Sequence, residues 1–162
     1  MGCLITKSNN NKIPKSQKEK MKKYTINSTT NFIPDIRYGK VVKVYDGDTI
    51  TVIAPVLNSS KHSIHKFSIR LLGIDCPEIR TKNSEEKKIA VIARDLLKSK
   101  IIDKYVYFHN ISYDKYGRIL AEVYFDGENM CDFMINKRLA VKYDGGTKSI
   151  PKNWEKFYKN IN

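Results

Sequence analysis

Apolar and polar residues alternate along five short segments of this 162-residue chain, which is the pattern of half-buried β-strands. The first two segments, 39–45 and 49–54, are rich in β-branched residues and are separated by Asp46-Gly47-Asp48, so they predict a hairpin. Three further strands are predicted at 64–72, 103–109 and 118–125.

Helical periodicity occurs between the third and fourth strands. Apolar residues recur there at helical spacing behind the acidic pair Glu85-Glu86, and they are Ile89, Ile92, Ala93, Leu96 and Leu97. We predict a helix over 84–100 and shorter helices over 130–138 and 153–158. Together the elements favour an α+β, mainly β fold: a five-stranded OB-type β-barrel with two to three flanking helices.

The first 36 residues lack any such pattern. They are rich in Lys, Asn, Ser and Thr, which predicts a disordered basic arm with at most a turn of helix at 18–23. We therefore divide the chain into the arm at 1–36, a folded domain at 37–148 that begins near Tyr38, and a tail at 149–162.

The first residues match an acylation motif. Gly2 and Thr6 fit the myristoylation pattern M-G-x-x-x-[ST], and Cys3 stands where a palmitoyl chain often follows. The lysines of the arm would reinforce attachment to an anionic membrane surface. A chance match to so short a motif is the alternative. No apolar run approaches the ~18 residues of a membrane span.

The net charge indicates which partners the chain binds, and the cysteine content indicates its cellular compartment. The chain has 30 Lys+Arg against 17 Asp+Glu, a formal net charge of +13, which favours nucleic acid or an acidic membrane surface as partner. A lysine-rich proteome gives the same excess. Cys3, Cys76 and Cys131 cannot all pair and none belongs to a CxxC motif, so we expect an intracellular, reducing compartment. We also expect a monomer.

Three short segments carry candidate chemistry: Tyr45 to Thr49, Ile69 to Glu78, and Asp114 to Arg118. They supply carboxylates at Asp48, Asp75 and Glu78, and guanidinium groups at Arg70 and Arg118. Carboxylate oxygens are the ligands that Ca²⁺ prefers, and a guanidinium fork matches a phosphate. A carboxylate that takes a proton from water would complete a phosphodiesterase.

Each segment also has an ordinary structural explanation. Asp-Gly is a favoured hairpin turn, and Asp126-Gly127 and Asp144-Gly145 repeat it without a following Arg-x4-Asp-x-Pro-Glu. Arg70 and Asp75 are five residues apart, so a regular strand would point them to opposite faces. They share one pocket only if the chain bends after Leu72, which Gly73 permits.

Taken in order, the three segments resemble the staphylococcal-nuclease (thermonuclease-like) family over about residues 39–147. The resemblance implies calcium-dependent hydrolysis of DNA and RNA with little sequence specificity, which leaves 3′-phosphate and 5′-hydroxyl ends. It implies that Asp48 and Asp75 bind Ca²⁺ through their carboxylates. Cys76, where the family's best-known member has threonine, would contribute its backbone carbonyl.

The resemblance implies further roles on the substrate side. Glu78 would activate the attacking water, and Arg70 and Arg118 would clamp the phosphate. Lys115 and Tyr116 would contact the nucleotide's terminal phosphate, and Tyr143 is the nearest candidate for the family's aromatic residues after the last long helix. We expect single strands to be preferred, because a shallow barrel face admits a splayed phosphate more easily than a duplex.

Other chemistries are poorly represented in the sequence. It contains no GxxxxGK[ST] or HExxH motif, and His62, His65 and His109 are scattered. Two alternatives to a nuclease stay open: a catalytically silent OB-fold module that only binds nucleic acid, and a membrane-tethered interaction protein in which the arm carries the function.

Overall fold

The computed structural model describes residues 12–58, 63–147 and 150–160. The chain divides into two compact units, Met1–Phe32 and Ile33–Asn162. The first contains helix α1 (Lys15–Lys22) and a 3₁₀ turn (Ile26–Ser28), and none of its described residues is buried. The sequence predicted at most one turn of helix at 18–23, so the eight-residue α1 is longer than expected. Lys, Gln, Glu and Met all favour helix, and an ion pair between Lys22 and Glu19 supports it.

Some residues assigned to the arm pack with the second unit. Ile36 belongs to the core cluster and is 1% exposed. The backbone N–H of Leu57 donates to the carbonyl of Asp35 at 2.9 Å. A single buried isoleucine gives no periodicity, so the sequence pattern could not place it. The division of the chain at residue 36 stays a prediction that truncation can test.

The second unit is built on a closed β-barrel, as predicted. Among the described residues its strands are β1 (Tyr38–Val44), β2 (Thr49–Pro55), β3 (Ile64–Leu71), β5 (Tyr105–Tyr113) and β6 (Ile119–Phe125). Two-residue strands β4 (Ile74–Asp75), β7 (Glu128–Asn129) and β8 (Val141–Lys142) complete the pairing. The order is β3-β2-β1-β5-β6, and a parallel pairing of β3 with β6 closes the barrel. This is an OB-type barrel.

One strand is longer than its sequence pattern. β5 runs to Tyr113, although alternation predicted an end at residue 109. Its pairing with β6 shifts register between His109 and Ser112, and Asn110 adopts a positive φ of 52°. Such a bulge breaks the alternation of side chains while the strand continues. The extension matters because it leads directly to Asp114.

In the described part of the second unit, three helices flank the barrel: α2 (Ser84–Ile101), α3 (Met130–Asn136) and α4 (Trp154–Lys159). The side chain of Asn83 caps α2 by accepting from the N–H groups of Glu85 and Glu86. One face of α2, including Ala93 and Leu97, is fully buried against the barrel core. Helix α3 ends two residues before the predicted position, because Arg138 takes a φ of 56°.

Some sequence predictions fall outside the described residues, namely those on Gly2, Cys3 and His62. Acylation of Gly2 and Cys3 therefore stays a prediction. None of the helices in the described part of the chain is long and apolar enough to cross a membrane.

Two truncations test the division of the chain. Deleting residues 1–32 should leave the melting temperature nearly unchanged, because the described part of that segment buries no side chain. Deleting residues 1–36 should lower stability by about 2–5 kcal/mol, since it also removes Ile36 from the core. Thermal melts followed by circular dichroism would compare both proteins with the full chain. Equal melting of the two truncated proteins would contradict this boundary.

Candidate active site

The turn between β1 and β2 brings Asp48 next to Arg70. Thr49 pairs with Arg70 in the register of β2 and β3, and the N–H of Leu71 donates to the carbonyl of Asp48 at 2.8 Å. Arg70 Nη1 then donates a charged hydrogen bond to Asp48 Oδ2. Asp48 is thus fixed by both its backbone and its side chain.

A bend after β3 brings Asp75 to the other side of the same guanidinium. Gly73 adopts a φ of 92°, which L side chains rarely take, and β4 then pairs with β8. Arg70 Nη2 donates to Asp75 Oδ1 at 2.8 Å and to the carbonyl of Ile74 at 3.2 Å. The bend that the sequence required for Arg70 and Asp75 to share one pocket is therefore present.

These three charged groups are all buried: Asp48 is 3%, Arg70 8% and Asp75 2% exposed. Burial raises the pKa of Asp48 to about 7, although Arg70 and a hydrogen bond from Thr49 act in the opposite direction. Burial alone would lower the pKa of Arg70, but the two carboxylates outweigh it and raise that pKa above its ordinary value. With both carboxylates ionised, the cluster holds one negative charge more than it has positive charges.

Gly47, which precedes Asp48, packs against Cys76, which follows Asp75. A Cβ atom added to Gly47 would lie 2.9 Å from Cys76 Sγ and 3.0 Å from the Cβ of Ala93 in α2. Gly47 is thus required for close packing. At Asp126-Gly127, by contrast, both residues have positive φ, as an ordinary hairpin turn needs. The two Asp-Gly turns look alike in sequence and differ in function within the fold.

Cys76 and Cys131 are both free thiols and both buried. Burial raises the pKa of Cys76 well above its ordinary value, and the charge of Asp48 adds to the effect. The family resemblance implies a role for Cys76 only through its backbone carbonyl. The buried neutral thiol is consistent with a packing function for its side chain.

Asp114 organises the loop that carries Arg118. Its Oδ1 accepts from the N–H groups of Tyr116 at 2.9 Å and Arg118 at 2.8 Å, and its Oδ2 accepts from Arg118 Nε at 2.6 Å. Partial burial acts to raise the pKa of Asp114, but these hydrogen bonds lower it below its ordinary value. Gly117 completes the turn with a φ of 79°. The Arg118 side chain is 49% exposed, and Tyr116 lies below its guanidinium.

A cavity of about 330 Å³ is lined both by Arg70 and by the loop that carries Arg118. Five of the sequence-predicted residues line it, namely Arg70, Lys115, Tyr116, Arg118 and Tyr143. Asp114 also lines it, although no role was predicted for that residue from the sequence. The signal was available, because an Asp four residues before an Arg across a Lys-Tyr-Gly turn is a typical Asx-turn pattern.

Glu78 is exposed, unlike the three charged residues of the buried cluster. Its backbone N–H donates to Glu86 Oε1 at 3.1 Å. Glu86 also accepts from the Thr81 hydroxyl at 2.8 Å, so α2 fixes the segment that carries Glu78. In the described part of the chain no three His, Cys, Asp or Glu side chains form a group that could hold a metal ion. Side chains of the cluster therefore supply two carboxylates, and further ligands would come from backbone oxygens or water.

Comparison with known proteins identifies the family. A model of the staphylococcal nuclease homologue family matches residues 68–160, more than half of the chain. The chain belongs to this family. An uncharacterised endonuclease of Escherichia coli is 35% identical over 108 residues, which cover 66% of this chain and 61% of the relative.

Two further relatives carry nuclease names. Endonuclease Htp3 of Saprolegnia parasitica is 31% identical over 112 residues, covering 60% of this chain and 53% of the relative. A probable staphylococcal-like nuclease, CAN1 of Oryza sativa subsp. japonica, is 35% identical over 78 residues, covering 48% of this chain and 22% of the relative. The chain spans less than two thirds of the length of each of the three relatives.

The packing of Gly47 gives a stability prediction. Gly47→Ala should destabilise the protein by about 1–3 kcal/mol, because the new methyl group has no space between Cys76 and Ala93. Adding Cys76→Ala removes the nearest atom, so the double variant should recover part of the loss. Urea denaturation of the parent, both single variants and the double variant would measure this coupling. A Gly47→Ala protein as stable as the parent would refute the packing role.

Proposed function

We propose that this protein is a calcium-dependent nuclease that hydrolyses phosphodiester bonds of DNA and RNA with little sequence specificity. The observation that carries the proposal is the buried cluster of Asp48, Asp75 and Arg70 beside a cavity that Arg118 also lines. Membership in the staphylococcal nuclease homologue family and the endonuclease names of relatives support it.

Arg70 has donors left for a substrate. A guanidinium has five N–H groups, and the contacts to Asp48, Ile74 and Asp75 use three of them. The remaining two belong to a side chain that lines the cavity. Arg70 is therefore oriented by the carboxylates and still able to bind a phosphate oxygen. Arg118, held by Asp114, would bind the same phosphate from the other wall of the cavity.

The residues of the cluster fit Ca²⁺ by their chemistry. Asp48 and Asp75 offer hard carboxylate oxygens, and with both ionised the cluster has one excess negative charge, which favours a cation. We assign Asp48, Asp75 and the backbone carbonyl of Cys76 as the groups that would hold it. When bound, Ca²⁺ supplies polarisation of a non-bridging phosphate oxygen. The Cys76 thiol, buried and held neutral by its raised pKa, is not required as a ligand.

The reaction follows from the groups on this chain. Glu78 accepts a proton from water as the water oxygen bonds to phosphorus, in line with the bond to the 5′ oxygen. That bond breaks, and solvent protonates the leaving oxygen, so a 5′-hydroxyl and a 3′-phosphate remain. Arg70 and Arg118 donate to the oxygens on which charge develops. Glu78 must reach the water for this step; its side chain is exposed, and its backbone N–H donates to Glu86 of α2.

The substrate class follows from charge and shape. The chain carries a formal net charge of +13, so affinity for nucleic acid should fall steeply with salt. Lys115 and the 73% exposed Tyr116 would contact the terminal phosphate of the nucleotide, and Tyr143 would lie next to the base. A single strand can place one splayed phosphate in this cavity, whereas a stiff duplex cannot bend into it as easily.

The arginines give a test of catalysis. Arg70→Lys and Arg118→Lys each keep the charge but lose the fork, so turnover of single-stranded DNA should fall by about 10²-fold or more. Arg37→Lys, at an exposed arginine on the barrel outside the cavity, is the control and should stay within about twofold. Circular dichroism melts should accompany the assays. Near-parental turnover in folded Arg70→Lys and Arg118→Lys proteins would favour the silent binding module instead.

Calcium gives a second test. Cleavage should require Ca²⁺, stop in chelator, and be poor in Mg²⁺, which demands tighter octahedral geometry. Asp48→Asn and Asp75→Asn should lose the calcium response, whereas Cys76→Ser should keep it because its backbone carbonyl is unchanged. The rate of oligonucleotide cleavage should be measured as a function of calcium concentration for the parent and the three variants. Full activity in chelator would contradict the proposal, and so would a Cys76→Ser protein without calcium response.

A further inference from the structure

A second groove, separate from the cavity of the candidate active site, lies between β1 and α2. Its volume is about 560 Å³. Of the nine described residues that line it, four are cationic and none is acidic, and the cationic ones are Lys43, Arg80, Arg94 and Lys98. None of these four residues belongs to the candidate active site.

The charge in this groove is largely uncompensated. Arg94 pairs with Asp95 at 2.8 Å. Within the described residues, no carboxylate forms an ion pair with Lys43, Arg80 or Lys98. Arg94 and Lys98 are one helical turn apart on α2, where like charges repel each other. The fold thus maintains a concentrated positive potential in a concave surface, which favours a polyanion.

An aromatic ring is part of the same groove. Tyr45 is 37% exposed, and two cations lie over its ring, with Lys43 Nζ at 5.7 Å and Arg80 Cζ at 5.6 Å from the centroid. A shift of register in β1 between Val41 and Lys43 leaves Lys43 and Tyr45 exposed on one side while Val44 is buried. A basic groove with an aromatic ring is the combination by which proteins bind single nucleic-acid strands.

The groove adjoins the carboxylate side of the candidate active site. Tyr45 comes three residues before Asp48 in the same tight turn, and its N–H donates to the carbonyl of Thr49 at 2.8 Å. Arg80 comes two residues after Glu78. Arg70 binds Asp48 and lines the first cavity. The turn that carries Asp48 is therefore linked to the groove through Tyr45 and to the cavity through Arg70.

We propose that this groove binds backbone phosphates of a single nucleic-acid strand beyond the bond that is cut. The inference rests on the proposed nuclease function and extends it to a second contact surface. An anionic membrane is the weaker alternative, because a concave groove between a strand and a helix does not fit a flat lipid surface. The groove would raise affinity for long substrates over short ones.

The test compares charge-matched variants of the full chain. Arg94→Gln/Lys98→Gln and Lys43→Gln/Arg80→Gln each remove two charges from the groove. Lys87→Gln/Lys88→Gln removes two exposed charges from the same helix outside the groove and serves as the control. Fluorescence anisotropy of a labelled 24-nucleotide oligothymidylate gives the affinity. It is measured in chelator, which prevents cleavage, over a range of salt concentrations.

Each groove variant should bind the oligonucleotide on the order of tenfold more weakly at ~0.1 M salt, with a shallower salt dependence by about 1.4 in log–log slope. The control should change by less than about threefold. Equal losses in groove and control variants would overturn the proposal, since they would show only the effect of net charge. Retained DNA affinity with lost binding to phosphatidylserine vesicles would overturn it in favour of a membrane surface.

Cleavage separates this inference from the proposed function. If the protein cleaves, the advantage in kcat/KM of a 24-residue over a 4-residue substrate should shrink at least fivefold in the groove variants and persist in the control. If it does not cleave in calcium, the nuclease proposal fails. The groove is still judged then by the affinities measured in chelator.

Discussion

The candidate site depends on one buried arginine. Arg70 holds Asp48 from the β1–β2 turn and Asp75 from the segment after β3, so a single guanidinium connects parts of the chain that are 27 residues apart. Removing one partner from such a buried group typically costs about 3–5 kcal/mol, because the remaining charge is left uncompensated. The same ion pairs that stabilise this region also orient the donors that would bind a phosphate.

Gly47 and Asp114 position the groups around Arg70. Gly47 allows the Asp48 turn to pack directly on Cys76 and Ala93, which fixes the distance between both carboxylate segments and α2. Asp114 holds Arg118 through its backbone and its side chain, so the second arginine lies on a defined loop although it is half exposed. A rigid buried arginine and an adjustable exposed one therefore line the same cavity.

Sequence reasoning captured the barrel because its determinants are local. Alternating apolar residues, an Asp-Gly turn and one long periodic helix predicted the order of strands and helices. Ile36 and the extension of β5 beyond the bulge at Asn110 were not foreseen, since an isolated apolar residue and a bulge both leave no periodic signal. Arg70 contacts Asp48 and Asp75 through the fold, and no local pattern in the sequence shows these contacts. Their proximity was predicted only from the family resemblance of the ordered motifs.

The roles of Gly47 and Asp114 show a different limit of the sequence. Asp46-Gly47, Asp126-Gly127 and Asp144-Gly145 look equivalent, and only the fold shows that Gly47 is packed against other side chains while Gly127 serves a positive φ. Asp114 was within a recognised segment, but its hydrogen bonds depend on the conformation of the loop. Side-chain packing and loop geometry are properties of the folded chain.

The central claim is that the buried carboxylates of Asp48 and Asp75, both held by Arg70, bind a divalent cation. Calorimetric titration of the full chain with Ca²⁺, in the presence of a nucleoside 3′,5′-diphosphate, tests it without any cleavage assay. We expect one calcium site per chain, lost in folded Asp48→Asn and retained in Glu128→Gln, which changes an exposed carboxylate. Calcium binding of undiminished affinity in Asp48→Asn, or none in the parent, would contradict the account.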